Sequence, residues 1–364
     1  MSIAEADSRA ADALPRVNAR EAKRIVEDLF ELKPVVYWLD FLVGTVLTYA
    51  GLIVYVTSET FSVTACVAFV LAAIGLFRIA IFMHEIVHMR RGHMRGFKIA
   101  WNVFVGIPLL TPSLFYTTHA DHHSNRYYGT PADGEYLPFG QAPVAEIVRF
   151  VAMIPIVPVL AVLRALVLVP LSFAIPRLRR WLLEYASAAV ISPTYRRRNV
   201  PSTTDPLWLL CDFACFAYAV TWLVLAVRGD VSLLTLGKLY LVVVFALAMN
   251  WLRTLAAHRY RNDGTESTHN AQVLDSINIE GPALLTEWLY PVGLRYHALH
   301  HLLPSLPYHS LGIAHRRLLA ELPADAGYRA CSSPGTLAAV RQLWSDAKAS
   351  GPRGIEILRN WRSA

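Results

Sequence analysis

The sequence predicts an all-α integral membrane protein: two transmembrane helical hairpins, four main spans in all, with interfacial helices and a cytoplasmic histidine-rich cap. Three observations predict it. The composition is 55% hydrophobic and only 17% charged, against about 25% charged in an average soluble domain. Apolar runs long enough to cross a bilayer, roughly 20 residues each, come in two pairs, and only a short polar turn separates the members of each pair. Lysine and arginine are spread unevenly about those runs, which sets an orientation.

The chain opens on a polar segment, residues 1–35, that carries both signs of charge and lacks the form of a secretory signal. Residues 36–57 and 61–83 make the first hairpin, and residues 207–227 and 233–252 the second, joined by RGDVS. Two apolar stretches between them are broken. Residues 99–116 contain Gly106, Pro108 and Pro112, and residues 144–176 contain Arg149, Arg164 and several prolines. Both read as interfacial or re-entrant, with a short spanning hairpin as the alternative for 144–176. Segments before 36, between 84 and 206, and after 253 are dense in Lys and Arg, whereas the two short turns hold only Arg228. The positive-inside rule then puts both termini and the middle region in the cytoplasm. Residues 36–315 read as the membrane domain with its cap, and 316–364 as a helical cytoplasmic tail. The net charge of +7 reports those loops, not nucleic-acid binding. The four cysteines, Cys66, Cys211, Cys215 and Cys331, form no C-x-x-C pair, so neither a disulfide scaffold nor a thiolate metal site is expected.

Eight of the thirteen histidines fall into three clusters. HEIVH holds His84 and His88, HADHH holds His119, His122 and His123, and HALHH holds His297, His300 and His301. On a helix, residues three and four apart face the same way, so each cluster can aim two or three imidazoles at one point. His84 begins where the second span ends, and the other clusters lie in segments assigned to the same side. Eight imidazoles exceed the needs of one metal, and two metals is the simplest reading. Imidazole suits iron, zinc, copper and nickel, so ligand type alone does not name the metal. HEIVH by itself is the signature of a zinc metalloprotease. Such a site needs three protein ligands and one open position, and it has no use for six further clustered histidines. Glu85 and Asp121 lie inside the boxes, where each reads either as a carboxylate orienting an imidazole through its N–H or as a solvated charge at a helix end. His93, His309 and His315 read as ordinary solvated histidines.

At these residues the chain resembles the membrane fatty acid desaturase and hydroxylase superfamily. HEIVH matches the first histidine box, HADHH the second, and HALHH followed by LLPSLPYH the third, so the resemblance runs from the first hairpin to about residue 315. It implies a non-haem di-iron centre, with two iron ions held almost wholly by histidine and O2 as co-substrate. It also implies a ninth ligand, His258 in RTLAAHRY, at the cytoplasmic end of the last span. Thr254 stands where some relatives place an asparagine that reaches the metal through water. His269 is a further candidate for orienting a ligand, with solvation as its other reading.

The implied activity is desaturation of a fatty acyl chain, which the third box and RTLAAHRY favour. The alternative within the superfamily is hydroxylation or a related oxygenation of alkyl, sterol-like or carotenoid substrates. Two electrons must come from an external donor, a ferredoxin or a b-type cytochrome with its reductase, since the chain has neither an H-P-G-G haem motif nor a cysteine set for a cluster. Arg177, Arg179, Arg180 and Arg196–Arg198 are candidates to dock it, or else obey the positive-inside rule and touch anionic lipid headgroups. The expected location is a bacterial inner membrane, with the metal site on the cytoplasmic side. An acyl chain needs a largely apolar tunnel, but the sequence does not identify its lining. Trp101, Tyr116, Trp251 and Tyr296 lie near the boxes and read as packing or interface anchors.

Overall fold

The computed structural model describes residues 15–363. Among these, the chain is helical apart from one parallel pairing of Asn278–Ile279 with Ser332–Ser333 and two isolated bridges. It divides into two compact units. One comprises Lys33–Ala120 and Ile147–Trp251, and the other comprises the chain up to Leu32, Asp121–Glu146 and everything from Leu252 onward.

Five helices are long and apolar enough to cross a membrane: Pro34–Thr57, Val63–His88, Ile156–Ala174, Pro206–Val227 and Leu233–Leu255. Their starts carry local signals. Proline occupies the first helical position at 34 and 206, where its missing N–H is not needed. The Ser62 hydroxyl accepts from Ala65 N, and the Asp205 carboxylate accepts from Leu207 N and Trp208 N. The first two helices pack through small residues, as helices do where lipid offers no hydrophobic drive to associate. A Cβ on Gly44 would stand 2.9 Å from Ile79 Cγ2, and one on Gly75 would overlap the Thr48 hydroxyl. That hydroxyl donates to the Gly44 carbonyl at 2.7 Å, so its polarity is satisfied within its own helix.

Charges set within the helices of the apolar unit are paired. Arg78 grips Asp40 with two bonds of 2.9 and 2.6 Å. Asp212, fully buried, receives Arg164 at 2.9 Å and Arg179 at 2.5 Å. Lys238 Nζ donates to the carbonyls of Tyr55 and Ser58, the last turn of the first span. An unpaired charge in this setting costs several kcal/mol, about 2.5–3.5 on insertion scales, so pairing is the condition for keeping it. Arg197 is likewise buried. It donates to the carbonyls of Ser187 and Phe115 and to the Thr117 hydroxyl. Arg179 and Arg197 are therefore removed from the list of docking cations, because their guanidinium groups are committed to interior acceptors.

The stretch 144–174 enters and leaves the apolar unit on one side. Trp251 Nε1 donates to the Phe150 carbonyl at 2.9 Å, and Tyr240 Oη to the Pro155 carbonyl at 2.8 Å. From 150 to 155 the chain therefore moves away from the Leu255 end of the last span. It turns at 153–156, where Ile156 N bonds to the Met153 carbonyl. On the way back Ala165 packs with Leu110, Cys215 and Ala219, and Arg164 and then Arg179 reach Asp212. Arg179 also donates to the Thr203 carbonyl, just before Pro206. Pro206 and Leu255 are the same end of one hairpin. Residues 144–152 and Ile156–Ala174 thus form a hairpin, and its second arm is long and apolar enough to cross a membrane.

In the other unit, the last helix, Gly351–Ser363, folds back so that Trp361 stacks on Tyr136 at 6.1 Å and Arg362 meets Glu146 at 2.7 Å. Gly140 N bonds to the Tyr260 carbonyl at 3.1 Å, and a Cβ there would collide with the backbone of Arg259 and Tyr260. Tyr128, Tyr136 and Tyr260 are fully buried around this approach.

Replacing Asp212 by Ala strands two buried guanidinium groups. The expected loss is roughly 3–5 kcal/mol, read as a large drop in the thermal midpoint of the detergent-solubilised protein. An unchanged midpoint would refute the pairing argument.

Candidate metal centre

The second spanning helix runs beyond its apolar stretch to end at His88, and this carries the first histidine box. His84 and His88 lie one turn apart with ring centroids 5.0 Å from each other. His119 brings a third ring to 4.6 Å from His84 and 5.0 Å from His88. Tyr116 stacks on His119 at 4.7 Å, which sets the plane of that ring. Glu85 is buried, not solvated: Tyr37 Oη donates to its Oε2 at 2.6 Å, and its Oε1 is 3.8 Å from His84 Nδ1.

The second group holds His122, His258, His297 and His301, all buried, with one ring nitrogen of each within 4.8 Å of the others. The Nε2 atoms form a chain of close approaches: His122 to His258 at 3.2 Å, His258 to His297 at 2.9 Å, and His297 to His301 at 3.2 Å. Two ligand atoms about 2.1 Å from a shared ion, at angles of about 90–100°, stand roughly 3.0–3.2 Å apart. The spacing therefore fits a metal. His123 and His300 sit beside this group, their Nε2 atoms 3.1 Å apart and the His123 ring stacked on His301 at 4.4 Å.

The boxes divide in a way the spacing does not announce. His297 and His301 turn to one group while His300 turns to His123. At about 100° per residue, a four-residue step returns a side chain to within about 40°, while a three-residue step leaves it about 60° off. HADHH divides too. Its helix, His119–His122, is a single turn, with His119 at one end beside His84 and His88 and His122 at the other end beside His258.

Outer partners hold the second group's imidazoles. Asp133, buried, lies 2.8 Å from His122 Nδ1 and also accepts from Gly129 N. Tyr128 Oη is 2.9 Å from His258 Nδ1 and donates its own proton to Asp275 Oδ2 at 2.7 Å. Tyr136 Oη donates to the same oxygen at 2.9 Å, and Arg261 N donates to Asp275 Oδ1. Ser276 Oγ adds a contact of 3.2 Å to His258 Nδ1. The Gln272 side-chain nitrogen spans the His122 carbonyl at 2.9 Å and His301 Nδ1 at 3.0 Å. With Nδ1 engaged outward on His122 and His258, Nε2 presents its lone pair inward, as ligation requires. Burial pushes His258 and His301 well below the ordinary imidazole range, and their imidazole neighbours add to this, so both are neutral and able to ligate. Burial opposes protonation of His122 as well, but the Asp133 carboxylate more than offsets it and raises that group.

These partners come from the loop at 128–133 and the helix His269–Asp275, and no motif in the sequence marks them. The half-buried Asp121 has its carbonyl bonded to Ser124 N, and Asp133, eleven residues beyond His122, supplies a carboxylate to that ring. His269 only opens the helix that supplies Gln272 and Asp275. His315 is buried and not solvated, with Nδ1 2.7 Å from Tyr328 Oη and Nε2 3.3 Å from Glu280. Trp101 and Trp251 are packing anchors, donating to the Ile79 and Phe150 carbonyls.

The chain is similar to known proteins over most of its length. The model of the fatty acid desaturase family matches residues 60–332. A ceramide hydroxylase of Caulobacter vibrioides is 37% identical over 328 residues, covering 89% of this chain and 92% of that protein.

Loss of an outer carboxylate typically costs 10–100-fold in metal affinity. Asp133→Ala is expected to lower affinity by about that factor in chelator competition on purified protein, whereas His269→Ala leaves it unchanged. Equal effects from the two variants would contradict the assignment of Asp133.

Proposed function

The chain belongs to the fatty acid desaturase family, and on that premise we propose that it is an O2-dependent membrane hydroxylase of long-chain lipids of the ceramide class. The observation that carries this reading is the 37% identity to a ceramide hydroxylase along nearly the whole length of both chains. The centre we infer is a pair of iron ions. His122, His258, His297 and His301 would hold one, and His84, His88 and His119, whose rings lie together, are candidate ligands for the other. The four-nitrogen spacing and the outward-tied Nδ1 atoms support the first assignment. The box pattern of the sequence supports the second.

When bound, such a metal pair supplies the activation of O2 that no side chain can, and this is what breaks an unactivated C–H bond. One oxygen atom enters the C–H bond to give the alcohol, and the other leaves as water with two protons and two electrons from an external donor. The protein's own groups do the rest. Asp133 holds the His122 ring by its Nδ1 edge. Tyr128 Oη accepts a hydrogen bond from His258 Nδ1–H and donates its own O–H to Asp275 Oδ2, which fixes that ring. The burial of all four imidazoles keeps bulk water from the site. We place this chemistry at the cytoplasmic face of a bacterial inner membrane, served by a ferredoxin or b-type cytochrome.

A second reading, acyl desaturation, is favoured by HALHH with its following LLPSLPYH. The two differ by what the substrate carbon loses or gains. Expression in a ceramide-producing host, with His300→Ala as control, is expected to yield ceramide heavier by one oxygen from the wild-type enzyme only. Chains lighter by two hydrogens would replace hydroxylation by desaturation. Unaltered ceramide from a metal-loaded enzyme supplied with a competent reductant would overturn the substrate assignment.

A further inference from the structure

The helix Pro176–Tyr185 (PRLRRWLLEY) plays no part in the metal site, yet its surface is organised. Arg179, Leu182 and Leu183 are buried against the unit. The opposite arc is exposed and graded. Arg180 and Arg177 lie at one edge, and Trp181 and Tyr185 lie at the other, 45% and 49% exposed. The two aromatic rings stack on each other at 5.9 Å. Arg196 extends the basic edge. Its guanidinium lies 5.8 Å from the Tyr185 ring, and it pairs with Glu184, a carboxylate otherwise buried.

Chain continuity places this helix at a bilayer surface. It starts two residues after the apolar arm Ile156–Ala174 ends. It also precedes Pro206, the start of a span, and Arg179 bonds to the Thr203 carbonyl at that end. Large aromatics with a polar edge, flanked by arginines, are the composition that settles at the boundary of headgroups and acyl chains. Trp181 and Tyr185 would gain nothing from exposure to water.

We propose that this arc is a binding site for the phosphate headgroup of an anionic phospholipid, with Arg177, Arg180 and Arg196 meeting the phosphate and Trp181 and Tyr185 lying against the upper acyl chain. Charge complementarity selects the anionic lipid over a zwitterionic one. The exposed edge carries guanidinium groups, and its one acid, Glu184, is already engaged by Arg196. The neighbouring aromatics select a lipid over a soluble acidic protein, whose surface offers no acyl chain to cover them.

The test uses the full-length protein reconstituted in equimolar phosphatidylglycerol and phosphatidylcholine, extracted in mild detergent, with retained lipid counted by mass spectrometry. The wild-type protein is expected to retain phosphatidylglycerol above its share of the bilayer. Arg177→Gln with Arg180→Gln, both exposed and outside every buried pair, is expected to weaken that retention on the order of tenfold or more, at roughly fivefold per basic side chain near a charged surface. Arg353→Gln with Arg359→Gln removes the same charge from exposed sites on the last helix and is expected to change nothing. Lipid retained in bulk proportion by the wild-type protein, or equal loss from both double variants, would overturn the proposal. So would a 177/180 variant that keeps its phosphatidylglycerol but loses electron delivery from an acidic carrier protein, since the arc would then be a protein-docking face.

Discussion

Four imidazoles turned so that their ring nitrogens approach one another at 2.9–3.2 Å are the constraint on which the unit holding His122, His258, His297 and His301 depends. Neutral nitrogens that close, lone pair to lone pair and away from water, repel unless a cation lies among them or a proton is shared. The surrounding structure can be understood as what holds that arrangement. Asp133 fixes His122, the pair Tyr128 and Asp275 fixes His258, and Gln272 ties the His122 backbone to His301. A buried polar network of this kind specifies one geometry only when every member is partnered. The second tyrosine on Asp275, Tyr136, is in turn clamped by Trp361 from the last helix.

The apolar unit obeys the same requirement. The charges within its helices meet an acceptor or an opposite charge: Asp40 with Arg78, Asp212 with two arginines, Lys238 with the carbonyls that end the first span. These links also join segments distant in sequence. Asp212 ties the returning arm of the hairpin at 144–174 and the helix that follows it to a single span, and so the same interactions that satisfy charge also set the topology.

Much of this was legible in the sequence. The hairpins predicted at 36–57 with 61–83 and at 207–227 with 233–252 match the observed helices to within a few residues, apart from the second helix, which runs on to His88 to carry its box. Crossing a bilayer demands a long apolar run, a property of contiguous sequence. The histidine boxes were equally plain, because ligation demands a rare residue type at a helical interval. The course of 144–176 was left open, since its apolarity and length are those of a span. Trp251 on Phe150 and Tyr240 on Pro155 reveal that the chain turns back.

Sequence by itself determined the fold class, the spans and the histidines that cluster, for each rests on local composition or spacing. Tertiary structure decided how the boxes divide: His300 toward His123, away from His297 and His301. It decided that Asp133 meets His122 Nδ1 and Tyr128 meets His258 Nδ1, contacts that no motif marks. It also decided that Arg179 and Arg197 are interior while Arg177 and Arg180 are exposed. The physical reason is common to all three. A hydrogen bond or ion pair between residues ten to two hundred positions apart depends on where folding brings two side chains, and nothing in the residues adjacent to either one encodes that distance.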